Sequence, residues 1–185
     1  MALTGFTTLL TWRDFPANVP ANADSGTGAF VSTSFGAQAP WTYTGNGAAR
    51  VYTIGSVSCS VGLNRARMWA RPGASRTASL LVHEQGHFEI SALIMRQVDR
   101  ELSALIGIGY SSETEVNEAI ASVRNPLFTL IANLQSSATG DGEYDVSTNH
   151  GMNSTQSNWN RAFSACRADP TGELQAALAT QGITV

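Results

Sequence analysis

Charged side chains are scarce in this sequence, and long apolar runs are absent. Only 14% of the 185 residues are charged, the formal net charge is -3, and no lysine is present among the 11 basic residues. This composition offers no basic surface for nucleic acid or for an anionic membrane. No segment approaches the roughly 18 consecutive apolar residues of a membrane-spanning helix. The sequence therefore argues against nucleic acid and against a membrane as partners.

The first residues also lack the pattern of a signal peptide. No basic region precedes the short apolar stretch of residues 6–10, which runs directly into the polar residues Thr11, Arg13 and Asp14. We therefore expect no signal peptide here. The compartment stays open: secreted or periplasmic if the chain is already processed, and cytoplasmic or virion-associated otherwise.

Cysteine is nearly absent, with two residues, Cys59 and Cys166, placed far apart. Their separation matches no metal-ligand spacing, so the sequence excludes a cysteine-based metal site. One long-range disulfide and two buried thiols are both consistent with such a pair. The sequence does not decide between them.

The two halves of the sequence differ in their patterns. From Thr8 to about Arg71, β-branched and aromatic residues alternate with Gly, Pro and Asn clusters, which predicts short strands and turns. From Thr77 onward apolar residues recur at helical spacing. A chain of this length fits one domain with one core, and we treat residues 1–185 as a single domain. Strands followed by helices predict an α+β fold in which a mostly antiparallel sheet packs on a long helix.

The helical half contains several segments. We predict a first helix from Thr77 to about Leu105 and a last helix from roughly Thr171 to Thr180. Between them, Ser112 has the position of an N-cap for a second helix. Pro126 predicts a kink or a break in that helix. The polar composition of residues 136–142 predicts a flexible loop.

Residues 83–87, His-Glu-Gln-Gly-His, form an H-E-x-x-H motif inside the predicted first helix. Residues four apart on a helix project from one face, so the imidazoles of His83 and His87 can reach one zinc ion. Glu84 lies beside them and can accept a proton from zinc-bound water, which is the general-base role of this motif in metalloproteases. We therefore predict a zinc site with His83 and His87 as ligands and Glu84 as a catalytic residue.

The alternative is a chance match, because short motifs occur by accident. The flanking residues are apolar, however, which predicts that the helix face carrying the histidines is buried. Two imidazoles and a carboxylate would be unfavourable there without a common partner, so we favour zinc binding. Gly86 costs the helix about 1 kcal/mol relative to alanine. We expect a neighbouring strand or a substrate to approach the helix closely at this glycine.

A catalytic zinc site takes a third protein ligand and keeps one position open for water. His150 is the only histidine outside the motif, and Gly151 would allow the chain to turn and present the His150 imidazole to the helix. The competing candidate is Glu118. Its surroundings resemble the Asn-Glu-x-x-x-Asp element of thermolysin-like enzymes, but Ser122 stands where those enzymes have Asp. We favour His150 as the third ligand, with Glu118 as the alternative.

Residues near these candidates suggest supporting roles. Tyr144 could stabilise the oxyanion that forms when water attacks a carbonyl group, although packing of its ring against the sheet would explain it equally well. Asp145 and Glu89 are candidates for orienting a zinc-bound imidazole through its other ring nitrogen, and a solvated position is the alternative for both. Trp12 and Trp159 are expected to anchor the core.

Several segments together resemble a known family. They are the run His-Glu-Gln-Gly-His-Phe-Glu-Ile at residues 83–90, the run Leu-Leu-Thr-Trp-Arg-Asp-Phe at residues 9–15, and a downstream group made of Tyr144, Asp145, Thr148, His150, Gly151 and residues 156–159. With these motifs the chain, from about Leu9 to Trp159, resembles a bacterial family of uncharacterised proteins described as zinc-dependent proteases. The resemblance implies a zincin-like fold and a third ligand at His150, but no particular substrate.

These observations predict zinc-dependent hydrolysis of a peptide or protein substrate. Zinc held by His83, His87 and His150 would lower the pKa of its bound water, and Glu84 would take the proton and later return it to the leaving amine. One alternative is a non-catalytic zinc domain, structural or virion-associated, in which the same ligands hold the fold. Another is a metal-free binding module.

Overall fold

The computed structural model shows short strands in the first half of the chain and helices in the second. It describes residues 3–23, 25–73, 76–137, 140–149, 151 and 154–185. The strands are β1 (Ala29–Phe30), β2 (Thr33–Gln38), β3 (Trp41–Thr44), β4 (Val51–Ile54), β5 (Ser58–Leu63), β6 (Trp69–Ala70), β7 (Gly109–Tyr110), β8 (Ser136–Ser137) and β9 (Gly140–Asp141).

The strands pair antiparallel, as the sequence predicts, but in several small sheets. Strand β1 pairs with β6, β2 pairs with β5, and β3, β4 and β7 form a three-stranded sheet. The strands are only two to six residues long. Strands this short give ladders of a few residue pairs. Strands β8 and β9 form a small hairpin in part of the segment for which a flexible loop is predicted.

The helices are α1 (Ala78–Ser103), α2 (Glu113–Gln135), α3 (Glu143–Thr148), α4 (Thr155–Ala168) and α5 (Leu174–Thr180). The Thr77 side chain accepts a hydrogen bond from the backbone N–H of Leu80 at 3.1 Å and caps α1 where the sequence predicts. The predicted cap at Ser112 is confirmed by a bond of 3.1 Å from the N–H of Glu115. The last helix begins at Leu174, later than predicted.

Helix α2 continues through Pro126, so the predicted break is absent. Proline removes one intrahelical hydrogen bond, and the carbonyl that loses its donor is that of Ser122. Ser122 is exposed, so water can hydrate this carbonyl. Beyond the proline, buried Leu127 and Ile131 hold the second half of the helix on the core.

Helix α1 runs through the hydrophobic core and contacts α2, α4, β2 and β5. Its middle section, residues 88–95, is buried along its whole length. Trp159 on α4 is fully buried, which confirms it as a core anchor. Trp12 is half-buried and packs against Phe15 with ring centroids 5.3 Å apart. The long helix is therefore the element on which both halves of the chain pack.

The two cysteines are free and buried, so the long-range disulfide is not formed. Burial, together with the neighbouring Asp99 carboxylate, raises the pKa of the Cys59 thiol to about 12. Burial also raises the pKa of Cys166. Both side chains therefore contribute as small apolar groups.

The architecture as a whole is mixed, with antiparallel strands first and helices after them, which confirms the predicted α+β class. Within the described part of the chain, no helix combines the length and the apolar content that crossing a membrane requires.

Candidate metal centre

Helix α1 presents His83 and His87 on one face, one turn apart, with ring centroids separated by 5.0 Å. His83 is 2% exposed and Glu84 is 3% exposed, while the His87 side chain is 12% exposed. The motif therefore lies on a buried helix face that opens slightly towards solvent at His87. This placement confirms the prediction that the motif is helical and faces the interior.

The short helix α3 brings a carboxylate to the two rings. The Oδ1 atom of Asp145 lies 3.0 Å from Nε2 of His83 and 3.1 Å from Nε2 of His87. The three ligand atoms lie within 4.8 Å of one another. Among the described residues, His83, His87 and Asp145 thus form a group that could hold a metal ion.

The spacing of this group fits a small divalent cation. Ligands at 2.0–2.1 Å around a tetrahedral ion lie about 3.3 Å from one another. The separations of 3.0 and 3.1 Å between Oδ1 of Asp145 and the two Nε2 atoms need only a small adjustment to reach that value. Two imidazoles and one carboxylate are a donor set that zinc and other divalent transition metals accept. The residues present therefore fit a metal ion without selecting one metal.

The Asp145 carboxylate is suited to a ligand role because it stays ionised. Partial burial raises its pKa, but the contacts with the His83 and His87 rings and the charge of those rings lower it by more. The resulting pKa of Asp145 lies well below its usual range. A permanently ionised carboxylate is the form that binds a cation.

Glu84 is buried on α1 beside the two rings. Burial raises its pKa, while the nearby imidazoles of His87 and His83 and a hydrogen bond from the backbone N–H of Val31 lower it in part. The net shift of the Glu84 pKa is upward. A carboxylate with increased proton affinity is suited to taking up a proton during a reaction.

Tyr144 on α3 is fully buried and packs on the motif helix. Its ring stacks on that of His83 with centroids 4.7 Å apart and 7° between the planes. Its hydroxyl donates to the carbonyl oxygen of His83 at 3.0 Å and occupies the space in which a side chain at Gly86 would lie. The close approach expected at Gly86 is thus made by a tyrosine hydroxyl, with neither a strand nor a substrate involved. We call this contact the Gly86 notch.

The predicted role of Tyr144 as an oxyanion stabiliser needs correction. Tyr144 is 0% exposed, and its hydroxyl forms hydrogen bonds with the backbone of α1 and with Gln156. A hydroxyl that is buried and hydrogen-bonded within the protein cannot also donate to the oxyanion of a substrate. Tyr144 therefore aligns α3 with α1, and the sheet packing considered as the alternative is absent because the ring lies on the helix.

The predicted role of Glu89 also needs correction. Its carboxylate accepts two hydrogen bonds from Arg167, at 2.6 and 2.9 Å, and a third from Gln85 at 2.9 Å. It therefore orients no imidazole. The partner of the Nδ1 atom of His83 is Gln156, whose Oε1 atom lies 3.1 Å away.

The structure excludes one of the two candidates for the third ligand from the group and does not describe the other. Glu118 is exposed on α2 and does not belong to the His83, His87 and Asp145 group. His150 lies outside the described residues, so its role stays a prediction. The turn expected at Gly151 is confirmed by its φ of 80°, and the residue packs directly against the side chain of His83.

Sequence reasoning missed Asp145 as a possible ligand and Gln156 as the partner of His83. The only signal was the position of Asp145 beside Tyr144 and near His150, which led to a supporting role for it. Neither residue stands at a fixed spacing from the motif, so only the packing of α3 and α4 on α1 places them there.

Comparisons of the chain with protein-family models, with curated proteins and with solved structures find no match. The geometry of this centre is therefore the basis for a functional proposal.

Proposed function

We propose that the protein is a zinc-dependent peptide hydrolase with a zincin-like active site. The observation that carries the proposal is the buried Glu84 beside two histidines and a carboxylate whose spacing fits a metal ion. A structural metal site has no need for an additional buried acid. A hydrolytic site does need one, because water must lose a proton as it attacks.

Each residue of the centre has a separate role in the proposed reaction. His83 and His87 bind the metal, and the third ligand is Asp145 or His150. A bound zinc ion would polarise the scissile carbonyl and activate water. Glu84 accepts the proton of the attacking water and donates it to the leaving amine. The partly exposed edge at His87 is where an extended peptide can approach.

Iron is a second metal that this donor set would accept, because two histidines and one carboxylate also form the iron site of non-haem oxygenases. Glu84 favours hydrolysis, since a general base next to the metal is the feature that the H-E-x-x-H motif adds. Metal analysis of the purified protein for zinc, iron and manganese distinguishes a zinc hydrolase site from a non-haem iron site.

The test compares two glutamate variants of the full chain. Glu84→Gln should retain one zinc per chain and lose hydrolysis by about 100- to 10,000-fold, the usual contribution of a general base. Glu118→Gln makes the same change at an exposed position and should retain both zinc and activity. Metal content is measured by mass spectrometry, and hydrolysis is measured on a library of synthetic peptides.

Two results would contradict the proposal. Stoichiometric zinc with no cleavage of any library peptide favours the non-catalytic zinc domain. Protein prepared without chelator that contains no metal, and binds none when zinc is added, favours the metal-free binding module.

A further inference from the structure

The side of His83 that faces away from Asp145 contacts a buried hydrogen-bond network. Gln156 on α4 is 8% exposed, and its Oε1 atom lies 3.1 Å from Nδ1 of His83. The Gln156 amide nitrogen donates to the hydroxyl of Tyr144 at 2.7 Å and to Oδ1 of Asn160 at 3.0 Å. Helix α4, which carries none of the three candidate ligands, thus contacts the ring of His83 through Gln156.

The directions of these hydrogen bonds are determined by the donors available. The single hydroxyl proton of Tyr144 has two acceptors within reach, the carbonyl oxygen of His83 at 3.0 Å and Oε1 of Gln156 at 3.1 Å, and with either of them the hydroxyl oxygen accepts the bond from the Gln156 amide nitrogen. Both amide hydrogens of Gln156 are then used, by Tyr144 and by Asn160. The amide oxygen must therefore face His83, and an oxygen there can only accept.

A second acceptor on the same side supports this direction. The hydroxyl of Thr148 lies 3.4 Å from Nδ1 of His83, and its own proton goes to the carbonyl of Tyr144 at 2.6 Å. Two acceptors thus face Nδ1, so this nitrogen carries a proton. The other ring nitrogen, Nε2, faces Asp145, and a metal ion would bind between these two groups.

We propose that Gln156 is a positioning residue that holds His83 in the tautomer with its proton on Nδ1, leaving Nε2 for the metal. This inference rests on the proposed metal site. It assigns to α4 a role in metal binding through a neutral amide, although a carboxylate is the more familiar partner of a metal-bound histidine.

Zinc affinity provides the first test. In Gln156→Leu the acceptor is lost at similar volume, and zinc binding should weaken by about 10- to 100-fold, the usual effect of removing the partner of a metal-bound histidine. Gln156→Glu retains an acceptor for Nδ1–H and should recover most of that affinity. Asn160→Ala removes the outer partner of Gln156 and should bind zinc nearly as wild type does. Affinity is measured by competition with a chromogenic chelator.

Nuclear magnetic resonance provides a second test, because it reports directly which nitrogen of the His83 ring carries the proton. A merely structural role of Gln156 would not change that signal. The chain has three histidines, so a sample labelled with ¹⁵N in histidine gives at most three rings. In the zinc-loaded wild type, the ring of His83, assigned through its contacts with Gly151 and Thr148, should carry a slowly exchanging proton on Nδ1. In Gln156→Leu that proton should exchange rapidly.

The outcomes separate this inference from the proposed function. A His83 ring protonated on Nε2, or Gln156→Leu with the zinc affinity of wild type, overturns the inference even if the protein hydrolyses peptides. Tight zinc binding that depends on Gln156, without hydrolysis, overturns the proposed function and leaves the role of Gln156 intact. A wild-type chain that binds no zinc overturns both.

Discussion

The Gly86 notch explains why a helix-weakening residue stands in the middle of the motif. Glycine costs about 1 kcal/mol relative to alanine inside an open helix. At this position, however, a Cβ atom would occupy the same space as the hydroxyl of Tyr144. The absent side chain lets α3 approach α1 closely enough to bring Asp145 to the two histidines.

Gly86→Ala should therefore destabilise the protein, by about 1–3 kcal/mol, the usual cost of overpacking a buried position. On an exposed helix the same change would be stabilising. Urea unfolding of the metal-free chain measures the difference. The double variant with Tyr144→Phe, which removes the nearest clashing atom, should lose less than the sum of the two single variants. Additive losses would show that the ring carbons of Tyr144, which also lie within contact distance of the added Cβ atom, dominate the clash.

The buried thiols give a prediction about reactivity. With its pKa raised to about 12, Cys59 stays protonated at pH 8, and the protonated thiol is a poor nucleophile. Ellman's reagent should therefore react with neither cysteine in the folded chain and with both after denaturation. Rapid reaction of Cys59 in the folded chain would contradict its burial.

The same pKa shift implies a direction for stability at alkaline pH. The folded state keeps the Cys59 proton up to about pH 12, whereas the unfolded chain releases it near the ordinary thiol pKa of 9.0. Between these values the folded state binds more protons, so this contribution to the free energy of unfolding is complete below pH 9 and falls as the pH rises through that interval.

Helix α1 carries a second polar cluster next to the candidate metal centre. The carboxylate of Glu89 pairs with Arg167 on α4, and the Arg167 guanidinium also donates to the carbonyl of Phe6 and lies over the Phe6 ring. Gln85, inside the motif, accepts a bond from the N–H of Leu10 and donates to the carbonyl of Thr8. The N-terminal segment is therefore tied to the motif helix by side chains that the proposed chemistry does not use.

Arg167→Leu should cost about 3 kcal/mol of stability, because it leaves the nearly buried Glu89 carboxylate without its cation. Arg161→Leu, an exposed change on the same helix, should stay within about 0.5 kcal/mol of wild type. Thermal or urea unfolding measures both variants. Adding Glu89→Gln to Arg167→Leu should restore part of the loss, and no restoration would mean that packing of Arg167 on Phe6 is the larger contribution.

Local patterns predicted helices α1, α2 and α5, but they predicted neither helices α3 and α4 nor the division into small sheets. Helix α1 begins after Thr77 and ends close to the predicted residue, because its apolar spacing and its N-cap are both local signals. The division into small sheets depends on how the short strands pair, which is not a local property. At Pro126 the break does not occur, since burial of the residues beyond the proline holds the helix together.

The candidate metal centre shows the same division between local and long-range information. The sequence predicted that His83, Glu84 and His87 lie together on one helix, and the structure confirms this placement because all three lie within two turns of α1. Asp145 and Gln156 come from α3 and α4 and meet the motif only through long-range packing. The spacing rules of a short motif contain no information about such residues.

In the molecule as a whole, the proposed function depends on whether the metal site is open or closed. A catalytic zinc site has three protein ligands, whereas a structural site has four. In an open site with Asp145 as the third ligand, Asp145→Asn should lose more zinc affinity than the 10- to 100-fold expected for a supporting residue, and His150→Ala should retain zinc. If both variants lose zinc, four ligands surround it and the site is structural. Chelator competition measures both affinities.

The residues that build this centre are far apart in the chain: His83 and Asp145 are separated by 62 positions. Closing so long a loop carries an entropic penalty, and contacts between distant residues form slowly compared with a single helix. During synthesis the motif helix would emerge with two imidazoles and a glutamate but without Asp145. A newly made chain would then have an incomplete centre until α3 docks, and under the proposed function its hydrolytic capacity would arise only once the chain has finished folding.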